Sequence, residues 1–231
     1  MLRRSKICND AAEFMEARVV TFLNPYSYLK ISESGVDLEK FDKICIDGIA
    51  LKMFLALVYR DSRIQRLSFD FTSVAGLVFD RAVERSERGF ILGSDQSSNG
   101  KFLATISEMY PGISVDGRSG YFSDKNELST FLGNLARSDY AFVIIGMGAV
   151  KQEEVANELV ELGFGGRVYT CGGFIHQTAM GGGEYYPPWI DKFNLRFAYR
   201  MFNEPSTIRR YLVDYPKSFA LLVRNIKEFK Y

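Results

Sequence analysis

Tyr140-Ala-Phe-Val-Ile-Ile-Gly146-Met-Gly148-Ala-Val-Lys151-Gln152-Glu153 reads as a strand, a glycine turn and the start of a helix. The apolar run before Gly146 does not alternate with polar residues, the pattern of a strand covered on both faces in a parallel sheet. Beyond Glu153, the residues Val155, Leu159, Val160 and Leu162 recur at helical spacing. Glycines at the carboxyl end of such a strand let main chain approach a ligand, and the next helix aims its N-terminus at the same place. That geometry suits a phosphate or nucleotide, although a plain tight turn uses the same residues. The full dinucleotide fingerprint is not met, because Lys151 stands where Gly-x-Gly-x-x-Gly needs its third glycine.

Working outward, short apolar strands alternate with amphipathic helices. Strands are expected over Val19–Leu23, Lys43–Ile46, Phe90–Leu92, Ile113–Val115, Tyr140–Ile145 and Arg167–Thr170. Helices are expected over Gly48–Tyr59, Thr72–Glu87, Ser97–Tyr110, Lys125–Arg137, Lys151–Leu162 and Trp189–Asn203. This order predicts an α/β fold, a mostly parallel sheet with helices on both faces. Composition shifts after Gly181–Gly183. Residues 187–231 carry nine Lys/Arg against four Asp/Glu, with ten aromatics interleaved. We therefore expect an α/β domain over 1–186 and a basic, aromatic, helical appendage over 187–231. Such an end suits a membrane surface or an anionic substrate, or simply packs on the domain with solvated arginines.

The 231 residues are 47% hydrophobic, enough for a sizeable core. A net charge of +1 gives no global field for nucleic acid. Cys8, Cys45 and Cys171 are scattered and match no zinc spacing, which suits a reducing cytoplasm. Arg3, Arg4 and Lys6 precede no apolar segment, so no signal peptide is expected, and no 18-residue apolar stretch predicts a membrane span.

Several strand ends carry polar groups. Ile44-Cys-Ile-Asp47-Gly48 puts a carboxylate where α/β folds keep their sites, though an acid there also complements a helix dipole. Asn24-Pro25 follows the first strand and reads as a turn initiator. Gly93-Ser-Asp-Gln-Ser-Ser-Asn-Gly100-Lys101 fails as a P-loop, since its first glycine is misplaced and Phe102 replaces the Ser/Thr that would hold magnesium. His176 is the single histidine and lies just past a strand in Cys171-Gly-Gly-Phe-Ile-His176. A Gly-x-Ser-x-Gly elbow and an Asp-x-Asp clamp are both absent, which disfavours a serine hydrolase and a metal-dependent transferase.

In order and spacing these segments resemble the WecG/TagA/CpsF family, bacterial glycosyltransferase family 26. The resemblance runs from about Val19 to Tyr211. It rests on Asn24-Pro25, Asp47-Gly48, Arg66 with Asp70, Tyr110-Pro111, Gly120-Tyr-Phe122, Gly146-Met-Gly148 with Gln152-Glu153, Gly172-Gly-Phe174, Tyr199-Arg200, Glu204-Pro205 and Arg209-Arg-Tyr211. Ala50 departs from the family's Asp-Gly-x-Gly, and His176 stands about where many members have Asp.

The resemblance implies a Rossmann-like domain with a helical C-terminal appendage. It also implies inverting, metal-independent transfer of a hexose-type sugar (ManNAc, ManNAcA or glucose) from a UDP-sugar to an undecaprenyl-diphosphate-linked acceptor. That reaction belongs to capsule, exopolysaccharide or cell-wall polymer synthesis, at the inner face of the membrane. It assigns Asp47 as general base, and Thr21, Asn24, Arg66, Gly146, Gly148, Gln152, Glu153, His176, Arg200, Arg209 and Arg210 to the substrates. No cofactor is expected. Two alternatives remain at this point: an NAD(P)-dependent oxidoreductase built on Gly146-Met-Gly148, and a non-catalytic sugar-nucleotide-binding subunit.

Overall fold

The computed structural model describes residues 2–181 and 207–226, together with Ile190, Tyr199, Met201 and Phe202. Six strands form one sheet: β1 Val19–Leu23, β2 Lys43–Ile46, β3 Arg88–Gly93, β4 Ser114–Arg118, β5 Phe142–Gly146 and β6 Arg167–Thr170. Their order is β2-β1-β6-β5-β3-β4, and every pairing is parallel. The expected mostly parallel sheet is thus wholly parallel among the described residues.

Strand alternation explains the layers. On β5, Val143 and Ile145 face one core while Phe142 and Ile144 face the other. The first core packs against α2 Pro25–Ser34, α3 Ile49–Tyr59, α6 Lys125–Ala136 and α7 Lys151–Glu161. The second packs against α1 Ala11–Glu16, α4 Ala75–Glu84, α5 Gln96–Met109 and α8 Phe174–Gly181. Helices therefore cover both faces. A last helix, α9 Tyr215–Arg224, follows a π-helical turn at Arg210–Asp214. It docks on the first layer through buried Leu222, a Phe219–Phe54 ring contact at 5.8 Å, and a bond from Asn225 Nδ2 to the Tyr28 hydroxyl at 3.4 Å.

Helix α2 corrects the reading of Asn24-Pro25 as a turn. Asn24 is an N-cap: its side chain accepts from Ser27 N–H at 3.0 Å, and the Ser27 hydroxyl oxygen accepts from Asn24 N–H at 2.9 Å. Pro25 fits the first helical turn, where a missing N–H costs nothing. Ala50, the departure from Asp-Gly-x-Gly, is the second residue of α3, where alanine favours helix over glycine by roughly 1 kcal/mol. The expected boundary at 186 and most of the expected helix Trp189–Asn203 lie outside the described residues, as does Arg200.

Candidate active site

A cavity of about 880 Å³ opens at the carboxyl ends of β1, β2, β5 and β6, with Arg210, Tyr211 and Tyr215 of the C-terminal segment on its wall. In a parallel sheet this edge gathers the strand-to-helix turns, so residues distant in sequence meet there.

Asp47 directly follows β2 and lines the cavity with its side chain 37% exposed, reachable by a substrate. Its main-chain N–H donates to Leu23 O at 2.7 Å, tying the end of β2 to β1. Arg66 lies on a segment that runs beside β2, bridged to Ile46, with Leu67 N–H donating to Ile46 O at 2.9 Å. Its guanidinium donates to Ser68 Oγ at 2.9 Å and stands 3.9 Å from Asp47 Oδ1 and 3.8 Å from Asp70 Oδ2. The Ser68 hydroxyl donates in turn to Asp70 Oδ2 at 2.7 Å. Ion pairs this long, in contact with solvent, contribute little to stability. They orient the arginine toward the cavity at small cost to its ability to bind an anion.

Gly146 and Gly148 line the opposite wall. A Cβ on Gly146 would lie 2.7 Å from Ile175 Cδ1 and 2.9 Å from Cys171 Sγ, so glycine here lets α8 pack on the end of β5. Gly148 has φ +80° with open space around it, so its need is conformational. Val150 shares that left-handed region at φ 77°, a strained setting for a β-branched residue. The strain is held by Glu153, whose Oε2 accepts from Val150 N–H at 2.8 Å.

Glu153 is fully buried. Its Oε1 accepts from the Thr21 hydroxyl at 2.9 Å and from Gln152 Nε2 at 2.8 Å. Burial, the largest influence, raises its pKa against the pull of these donors. Thr21 is equally buried and meets the Thr170 hydroxyl at 2.9 Å. Neither Thr21 nor Glu153 lines the cavity; both lie beneath it, joining β1, β6 and α7. Gln152 does reach the cavity wall, with Oε1 accepting from Gly172 N–H at 3.0 Å, so it braces the turn after β6.

Of the residues expected to serve substrates, the fold brings Asn24, Asp47, Arg66, Gly146, Gly148, Gln152, His176 and Arg210 to one cavity. Arg209 is exposed and is not on its lining. Arg210 lies over the Tyr26 ring, 4.2 Å from its centroid, fastening the C-terminal segment to the start of α2. His176 is exposed, with Nδ1 3.3 Å from Ser98 Oγ. Asp95, beside it on the lining, was not anticipated; the sequence signal it carries, an acid opening a helix, points only to a cap. Among the described residues, no three His, Cys, Asp or Glu side chains gather as metal ligands. No described helix is long and apolar enough to cross a membrane.

The chain matches the family model "Glycosyl transferase WecG/TagA/CpsF family" over residues 2–230. It is 36% identical over 212 residues, 91% of this chain and 86% of the other, to the UDP-Gal:alpha-D-GlcNAc-diphosphoundecaprenol beta-1,4-galactosyltransferase of Shigella boydii. It is 25% identical over 197 residues (81% and 70% of the two chains) to the N-acetylglucosaminyldiphosphoundecaprenol N-acetyl-beta-D-mannosaminyltransferase of Bacillus spizizenii. The enzyme of the same name from Bacillus subtilis is 25% identical over 224 residues, 92% of this chain and 80% of the other. A match over nearly the whole sequence removes the oxidoreductase alternative, and the chain belongs to the WecG/TagA/CpsF family of glycosyltransferases.

Proposed function

We propose that this protein transfers a hexose-type sugar from a UDP-sugar to N-acetylglucosamine on undecaprenyl diphosphate, with inversion and without a metal or other cofactor. The observation that carries the reading is a carboxylate, Asp47, sharing one strand-end cavity with the guanidinium groups of Arg66 and Arg210. The acceptor hydroxyl attacks the anomeric carbon, a new C–O bond forms, and the bond to the diphosphate breaks with its electron pair leaving on UDP. Asp47 takes the hydroxyl proton. Arginines suit the leaving group because their planar forks bind phosphate oxygens bidentately. UDP lies against the Gly146–Gly148 turn at the start of α7. The relatives' names, all on N-acetylglucosamine-type diphosphoundecaprenol, support this choice of acceptor, and the galactosyltransferase among them makes UDP-galactose the first donor to try.

The basic appendage, 187–231, would hold the enzyme against the anionic inner leaflet, where each nearby Lys/Arg contributes about 1 kcal/mol. This suits a peripheral enzyme of cell-envelope polysaccharide synthesis, capsule and exopolysaccharide included.

The test is direct. Purified protein is incubated with a UDP-hexose series and a short-chain prenyl-diphosphate-linked N-acetylglucosamine. UDP release and a disaccharide-lipid product, undiminished by EDTA, are expected. Failure with every donor, or loss in EDTA restored by magnesium or manganese, would overturn the corresponding part. Arg210→Gln is expected to lower kcat/KM about 10- to 100-fold, the loss of a charge-assisted hydrogen bond. Calorimetric UDP affinity and lipid kinetics both unchanged in that variant would remove Arg210 from the diphosphate site.

A further inference from the structure

A chain of three side chains, which the transfer reaction as described does not use, runs from the start of α5 into the cavity. Asp95 caps α5: Oδ1 accepts from Ser98 N–H at 2.9 Å and Oδ2 accepts from the Ser98 hydroxyl at 2.7 Å. Ser98 Oγ then meets His176 Nδ1 at 3.3 Å across the α5–α8 contact. Ser98 is buried, while Asp95 and His176 both line the cavity.

We propose that Asp95 and Ser98 hold His176 in the Nδ1–H tautomer, so that Nε2 offers the cavity a lone pair that accepts a hydrogen bond from a sugar hydroxyl. This rests on the transferase reading and names a specificity-determining contact within it.

The direction of each bond follows from proton counting. The Ser98 hydroxyl, followed by the Ser98 amide, lowers the Asp95 pKa to about 2, so the carboxylate is ionised and only accepts. Ser98 has one hydroxyl hydrogen, and Asp95 takes it. Ser98 Oγ can then only accept from His176, which requires the hydrogen on Nδ1. A neutral ring so arranged has no hydrogen on Nε2. The cavity thus divides its work: guanidinium groups suit the diphosphate, and an uncharged acceptor suits a hydroxyl without competing for phosphate. Asp95 and Ser98 are positioning residues here, and neither needs to touch the sugar.

The chain has one histidine, so its imidazole can be observed alone. Untagged, 15N-labelled protein should show the two-bond proton–nitrogen pattern of an Nδ1–H ring, whereas free imidazole in water favours Nε2–H. Asp95→Asn should reverse it. The asparagine Oδ1 keeps the bond from Ser98 N–H, its Nδ2 donates to Ser98 Oγ, and the freed hydroxyl turns to donate to Nδ1. Ser98→Ala should return the ring to the preference of free imidazole. An Nε2–H ring in the wild type, or a pattern unmoved by Asp95→Asn, overturns the relay.

In turnover, His176→Ala should raise one KM about tenfold with kcat little changed, the loss expected of one hydrogen bond to an uncharged partner. His176→Gln, which keeps an acceptor near the Nε2 position, should recover part of that loss. A rise for the UDP-sugar alone assigns the hydroxyl to the donor, and a rise for the lipid-linked sugar alone assigns it to the acceptor. Both KM values unchanged in His176→Ala overturn the contact. Should the wild type transfer no sugar at all, the transferase reading fails while the nitrogen spectrum still decides the relay.

Discussion

Asp47→Asn is expected to lower kcat by about 10²- to 10⁴-fold, the usual contribution of general-base catalysis, while the protein stays folded and keeps its affinity for UDP. The fold should survive because the main-chain bond from Asp47 N–H to Leu23 O is untouched by the substitution. Asparagine is also near in shape and leaves the Arg66 side of the cavity filled. UDP affinity should hold because the base acts on the acceptor hydroxyl, not on the leaving group. The loss should therefore fall on kcat, with the KM for donor barely moved. Initial rates with saturating donor and lipid-linked acceptor, beside calorimetric UDP binding, separate these terms. A variant that turns over within about threefold of wild type would pass the role to another carboxylate of the cavity, such as Asp70, which shares Arg66 with Asp47.

The sequence discloses the sheet better than the site. β1, β2 and β6 fall where their mainly apolar runs place them, as expected of strands covered on both faces, and the buried hydroxyls of Thr21 and Thr170 meet each other. Tyr140 and Ala141 drop out of β5; the Tyr140 hydroxyl donates to Asp116 Oδ2 at 2.8 Å beside the sheet. Helix α2 was hidden because Asn-Pro begins turns and helices alike, and only the helical spacing of Tyr28, Leu29 and Ile31 tells them apart. Helices α1 and α8 are not foreseen, and α9 falls within the expected helical appendage, which carries no bounds for it. The glycines before α8 looked like a loop lining a strand end, and Pro216 is tolerated at the start of α9.

For the site, the strand-end rule suffices for Asp47, which any parallel sheet would bring to that edge. It cannot distinguish a polar residue facing the cavity from one sealed beneath it. Thr21 and Glu153 are 132 residues apart, and only the packing of α7 on β1 makes them partners. Lys151, where a dinucleotide fold has glycine, donates from Nζ to Gly120 O at 3.2 Å and helps fix the turn.

Glu153 gives the largest stability effect to be expected from a residue first associated with substrate. Glu153→Ala removes the acceptor from three donors, the buried Thr21 Oγ and Gln152 Nε2 and the partly buried Val150 N–H. The Thr21 hydroxyl can turn toward Thr170 Oγ, but the Val150 amide sits in a strained turn and has no such choice. At about 1–3 kcal/mol for each buried donor left without a partner, a loss of about 2–4 kcal/mol is expected after the relief of burying a carboxylate. In a chain of this size that is a fall in Tm of roughly 5–15 °C. The pH dependence has a definite sign. Burial raises the Glu153 pKa, so the folded protein holds that proton more tightly than the unfolded chain. The wild type therefore loses stability from this group as pH rises from its ordinary value of 4.5 through the raised one. The deficit of Glu153→Ala should be widest at the acid end and narrow toward neutral pH. Melting curves of both proteins across that range give the comparison. A variant that melts with the wild type, yet loses donor affinity, would return Glu153 to the substrate side of the cavity floor.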